Sequence, residues 1–135
     1  MNFLLLAAGL NFAAAAAHVG IIFGGPAWYR FFGAGERFAQ LSEQGHPWPA
    51  LVTAGIALVL TTWGVYCLAL AGVITPLPAM SWVVLGIALV YALRALPTLL
   101  LAPWVPAFRT PFMIWSSLIC GSFAVAHGLG LWQLS

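Results

Sequence analysis

The chain predicts an all-α fold: a four-helix transmembrane bundle with a short interfacial amphipathic helix between spans 1 and 2. Three observations carry this. Of 135 residues, 64% are hydrophobic and only 4% charged, against about 25% charged in an ordinary soluble domain. The charged side chains are four arginines and two glutamates, with no lysine and no aspartate. The apolar residues fall into four runs at about 2–25, 50–72, 82–102 and 110–132, each near the ~20 residues that cross a bilayer as a helix. The solvent for such a surface is lipid, and the chain is expected to form a single integral membrane domain of residues 1–135. A formal net charge of +2 is too small to imply a nucleic-acid partner.

The first span carries Asn11 and His18 seven residues apart, on one helix face. Gly20 and Gly24 form a GxxxG, which lets another backbone approach closely. The opening MNFLLLAAGLNFAAAAAH resembles a signal-peptide core, but no Lys or Arg precedes it and the run continues through Val19, Ile21, Ile22 and Phe23, so an uncleaved span is expected. It stops at Gly24-Gly25-Pro26, where Trp28, Tyr29 and Arg30 mark a membrane interface. Pro26 to Pro49 is the one long polar segment. Gly33-Ala34-Gly35 reads as a hinge, and Gly35 to Gln44 as an amphipathic helix with Glu36 and Glu43 on one face. Gly45 and Pro47 end it, and Trp48 anchors the next span.

Span two carries Thr53, Thr61, Thr62, Tyr66 and Cys67; its hydroxyls are expected to bond back to their own helix. Pro76 and Pro78 keep the next connection extended. Span three aligns Tyr91, Arg94 and Thr98 on one face, and Pro97 should kink the helix beside the arginine by removing the bond to the Leu93 carbonyl. Span four presents a small-residue stripe, Ser117, Gly121, Ala124 and Gly128, beside a second stripe of Ser116, Cys120, Phe123 and His127. Arg30, Arg37 and Arg109 fall on one side of the membrane, which places the first and third connections in the cytoplasm and both termini outside. Trp28, Trp48 and Trp104 at that side, and Trp82 and Trp132 at the other, form an aromatic belt.

Arg94 is the leading candidate for chemistry. It lies ~12 Å from the charged end of span three, where an arginine costs at least ~2.5 kcal/mol, and no span contains an Asp or Glu to pair with it. Snorkelling, nearby carbonyls, a loop glutamate or an anionic or carbonyl-bearing ligand would relieve it. His18, ~9 Å from the same side, is expected to border the same cavity, with Tyr91 and Ser116 near that level and Glu36 closing it from the loop; the plainer alternative for His18 is a neutral ring bonded to a helix. A haem shared by His18 and His127 is disfavoured, because the two lie ~15 Å apart along the membrane normal. Cys67 and Cys120 are similarly ~13 Å apart, too far for a disulfide. His46 and Glu43 alone do not make a metal site, and no cofactor is expected beyond a quinone or lipid ligand.

From Arg37 to Gly72, RFAQLSEQGHPWPALVTAGIALVLTTWGVYCLALAG is similar to the DoxX-like membrane proteins: an amphipathic stretch, a G-x-P-x-P turn at Gly45, Pro47 and Pro49, then a span ending in small residues. The stretch GGPAWYRFFGAGE, Gly24 to Glu36, resembles uncharacterised four-span bacterial inner-membrane proteins. The resemblance implies a four-helix fold in a bacterial plasma membrane, and some DoxX-type proteins are membrane subunits of thiosulfate:quinone oxidoreductases. Thr61 and Thr62 stand where that family often has an acid, and no functional residue is carried over.

The leading expectation is therefore a small membrane protein binding a lipid- or quinone-like molecule in a cavity near the charged face, bordered by His18, Glu36, Tyr91, Arg94 and Ser116. The sequence names no reaction. The alternative is a non-catalytic subunit or assembly partner of a larger complex, a redox complex being one such, or of a homo-oligomer, using the GxxxG of span one and the small stripe of span four as contact faces. A small transporter ranks last, because the membrane glutamate that couples protons in such exporters has no counterpart here.

Overall fold

The structure, a computed structural model, describes residues 2–33 and 35–135. All regular structure among the described residues is helical. In order, the elements are α1 (Phe3–Gly24), α2 (Pro26–Phe31), α3 (Glu36–Glu43), α4 (Trp48–Leu70), α5 (Met80–Leu101), a 3-10 turn (Pro106–Arg109) and α6 (Pro111–Leu134). The four long helices are each long and apolar enough to cross a membrane, and only 22–28% of each apolar window is buried inside the protein. The remaining hydrophobic surface needs lipid around it, which makes this a multi-pass integral membrane protein.

The helix ends are set by local chemistry. The Asn2 side-chain oxygen accepts from the amides of Leu4 and Leu5 at the start of α1, and Thr110 accepts from Met113 in front of Pro111 at the start of α6. The positive φ of Gly45 and Gly72 (74° and 81°) closes α3 and α4. In each case the following amide reaches back five residues, His46 to Leu41 and Val73 to Leu68, satisfying carbonyls that would otherwise be orphaned. Arg109 donates to the carbonyls of Ala102 and Pro103, capping the end of α5 with a cation. The helix α5 runs on four residues past Pro97. Ala34, the middle of the expected hinge, lies outside the described residues; Gly33 and Gly35 beside it have φ of 74° and 100°.

The chain divides into two compact units, Met1–Leu10 with Trp63–Ser135, and Asn11–Thr62, with α1 and α4 running through both. The first unit is built on α5 and α6. The buried positions of α5, Val84, Ile87, Ala88, Tyr91, Ala95 and Thr98, recur at three- and four-residue steps and so form one stripe. Gly121 of α6 faces Ala95, and a Cβ there would sit 3.6 Å from the alanine methyl. The N-terminal turn of α1 packs Leu4 onto Gly130 and donates the Phe3 amide to the Gln133 side chain. The end of α4 contributes Trp63.

The second unit holds a small core of Ile21, Tyr29 and Ala39, with Phe38 packed edge-on against Tyr29 at 6.2 Å. Tyr29, beside the end of the first span, is packed into this core and only 2% exposed. The cause is α2: Gly25, with φ 74°, lets a new helix start at Pro26, and the chain turns before the aromatics. The same turn lays the Trp28 indole over Gly20 and Gly24, where a Cβ on either glycine would meet it. The GxxxG is thus filled by a side chain of its own chain. The threonines of span two bond back as expected, Thr53 to Pro49, Thr61 to Ala57 and Thr62 to Leu58.

Because a Gly24 Cβ would overlap the Trp28 ring, Gly24→Ala is expected to lower stability by about 1–3 kcal/mol, the usual cost of overpacking. In a Trp28→Ala background the same change should cost little. A double-mutant cycle of thermal unfolding in detergent checks this; equal penalties in both backgrounds would remove the indole from the notch.

Candidate functional site

The site is best built outward from Arg94. It lies on α5, seven residues before the helix ends at Leu101, a rise of ~10 Å. Its side chain is half-buried. One terminal nitrogen donates to the Ser117 hydroxyl at 3.0 Å and the other to the Ser116 hydroxyl at 2.9 Å, both on α6. Ser117 is fully buried. Ser116 donates in turn to the Met113 carbonyl, and Thr98 donates to the Arg94 carbonyl. Hydrogen bonds between membrane helices average ~0.6 kcal/mol each and reach ~1.7. Two of them recover part of an insertion cost of ~2.5–3.5 kcal/mol. They supply no negative charge.

Tyr91 lies one turn before Arg94 and is the hub of an aromatic cluster. Its ring meets Trp63 at 5.5 Å and Phe123 at 5.1 Å, both edge-on, and His127 at 5.4 Å. Such arrangements contribute about 0.5–1.5 kcal/mol each beyond burial. His127 is fully buried, with Nδ1 2.6 Å from the Phe123 carbonyl. A carbonyl only accepts, so Nδ1 carries the proton. The α6 stripe of Ser116, Phe123 and His127 is therefore the face that reads α5. Neither Cys67, buried, nor Cys120, half-buried, forms a disulfide.

The remaining sequence candidates belong to the other unit. His18 is half-buried, and its Nδ1 donates to the Ala14 carbonyl of its own helix at 2.7 Å. Glu36 takes a two-pronged contact from Arg30, Nε at 3.1 Å and a terminal nitrogen at 2.8 Å. That same terminal nitrogen reaches Glu43 at 2.7 Å. Arg30 thus ties the C-terminal turn of α2 to both ends of α3. The Glu36 hydrogen bond, then the one from Glu43, raise the Arg30 guanidinium further above its already high range, and Arg30 holds the Glu36 carboxyl below the ordinary carboxylate range.

Of the five expected site residues, the structure joins Arg94 to Ser116 and sets Tyr91 one turn away; His18 and Glu36 have the separate partners just given. Ser117 is a site residue that sequence reasoning assigned to packing alone. The doublet Ser116-Ser117 was its available signal. One pocket of about 300 Å³ is lined by Asn2, Leu4, Ala71, Gly130, Gln133 and Leu134, and another of about 410 Å³ by Ala27, Trp28, Phe31 and Phe32. Arg94 lines neither. Among the described residues no cluster of His, Cys, Asp or Glu could hold a metal ion.

Comparison of the chain with protein-family models, with curated proteins and with solved structures finds no match.

Glu36 gives a pH prediction. Its pKa is depressed in the folded state, so its contribution is present above the unfolded value of ~4.3 and is lost as pH falls through the folded value. Amide protection factors in α3 are expected to drop below about pH 4 relative to neutral pH, and Glu36→Gln should flatten that drop. An unchanged profile in the variant would show that the ion pair does not hold α3.

Proposed function

We propose that this integral membrane protein holds a lipid-like or quinone-like amphiphile by its polar end at Arg94, Ser116 and Ser117. The observation that carries the reading is the cation itself: a guanidinium within an apolar span, in a protein with no Asp or Glu in any span, hydrogen-bonded among the described residues to two neutral hydroxyls. Hydroxyls satisfy N–H groups but leave the charge uncompensated, and intramembrane cations of this kind commonly mark ligand or ion sites. The half-buried side chain leaves the guanidinium within reach of a molecule arriving from the lipid phase.

The assembly-subunit reading draws on faces that are partly occupied within the chain. Trp28 fills the GxxxG, and Ser117 and Gly121 of the small stripe are turned to α5. Arg94 therefore gives the binding reading the firmer support. The DoxX-like resemblance and the arginine distribution add the setting to the proposal: a bacterial plasma membrane, with the first and third connections cytoplasmic and both termini outside.

Two outcomes are expected. Arg94→Leu should abolish co-purification of a bound amphiphile, read by mass spectrometry of gently purified protein, while thermal stability stays near that of the parent. Loss of stability with no bound molecule in either protein would leave Arg94 a structural cross-link. A C-terminal alkaline phosphatase fusion should be active and a C-terminal fluorescent fusion dark in bacterial cells; the opposite pair would invert the orientation.

A further inference from the structure

We infer that the head group taken by Arg94 carries a phosphate, so that the ligand is an anionic phospholipid. The inference rests on the reading that an amphiphile is held there, and names its class. A donor count carries it. Arginine has five N–H groups, and two are used on Ser116 and Ser117. The other three have no acceptor among the described residues. Ser117 is fully buried and accepts from Arg94; its own hydroxyl proton also has no acceptor among the described residues, whereas Ser116 uses its proton on Met113. The site therefore presents three unused guanidinium donors and one positive charge, with Ser117 buried behind them.

A quinone fits that arrangement poorly. Its carbonyl is neutral, so it leaves the charge uncancelled, and its ring needs a flat slot. The aromatic rings nearest along α5 and α6 are already packed against one another, Tyr91 on Trp63, Phe123 and His127 at 5.1–5.5 Å. A phosphodiester matches on both counts. It brings a full negative charge and two unbridged oxygens, which accept the planar guanidinium two-pronged, while the buried Ser117 hydroxyl holds that guanidinium from behind. It also needs no enclosed cavity, in keeping with an arginine that lines neither pocket. The surrounding surface suits acyl chains: Leu93, Leu96 and Leu100 of α5, and Trp115 and Ile119 of α6, are all exposed. Arg94 lies toward the end of α5 that leads to Trp104 and Arg109, the interfacial end at which a phosphate resides.

The test is native mass spectrometry of the full chain in detergent, titrated separately with phosphatidylglycerol, phosphatidylcholine, a short-chain ubiquinone and inorganic phosphate. Phosphatidylglycerol is expected to bind about tenfold or more tighter than phosphatidylcholine, the equivalent of one charge-assisted contact. That preference should vanish in Arg94→Leu, survive in part in Arg94→Lys, and weaken several-fold in Ser117→Ala. Should Arg94→Leu fail to fold, the lysine and Ser117→Ala variants carry the test. Arg94-dependent ubiquinone binding without a phosphatidylglycerol preference would overturn the phosphate and leave the amphiphile reading standing. Binding of all three amphiphiles that ignores Arg94 would overturn both. Competition by inorganic phosphate alone would overturn the lipid as its source.

Discussion

One cation within an apolar helix constrains the first unit. A guanidinium placed ~10 Å inside an apolar helix must find hydrogen-bond partners, because unmade polar contacts in hydrocarbon cost several kcal/mol. The partners it finds are on α6, and this fixes how α6 meets α5. With Ser116 and Ser117 held opposite Arg94, helical periodicity carries Gly121 to Ala95 and Phe123 and His127 to Tyr91. Between surfaces of leucine and alanine, register would otherwise be weakly specified, since lipid tails are as apolar as the helices and there is no hydrophobic drive to choose one packing over another. The arginine and the serines choose it.

The second unit solves a different problem in the same currency. Its charges lie outside the spans and are exposed, so ion pairs there are individually weak. Arg30 engages two carboxylates at once, however, and all three groups flank a turn containing Gly33 and Gly35. A single exposed pair would scarcely hold two short helices, each below the length at which isolated helices persist. The network acts together with the buried Tyr29 side chain, which supplies the apolar anchor beneath it. Removing either part should loosen α3 without disturbing the long helices.

What the sequence revealed follows from the solvent. Lipid demands ~20-residue apolar runs, so the four spans, the α3 helix and its glycine stop were legible to within two or three residues, as was the back-bonding of the threonines. Arg94 was legible because a cation in such a run is costly wherever it sits. Its partners were not: Ser117 reads as a small packing residue, and only the rotation of α6 shows that its hydroxyl faces α5. The packing of Tyr29 and Trp28 was illegible for a related reason. Aromatics beside an arginine at the end of a span match the interfacial pattern, and nothing local reports that Gly25 turns the chain and folds one ring into a core and the other over a glycine notch.

The occupied notch bears on function as well as fold. Small-residue motifs on membrane helices are often read as oligomer faces because glycine lets backbones approach. That reading assumes the notch is empty. Here a tryptophan from four residues downstream already contacts both glycines, so a second helix would have to displace an indole and lose its contacts before gaining its own. On α6, Ser117 and Gly121 of the small stripe are likewise turned to α5, while Gly128 stays exposed with open space beside it. Part of what would ordinarily argue for assembly is thus used within the chain itself, whereas the positive charge of Arg94 meets no counter-charge among the described residues. Among the described residues only hydroxyls meet that charge, and under the binding proposal the surrounding lipid supplies the negative partner.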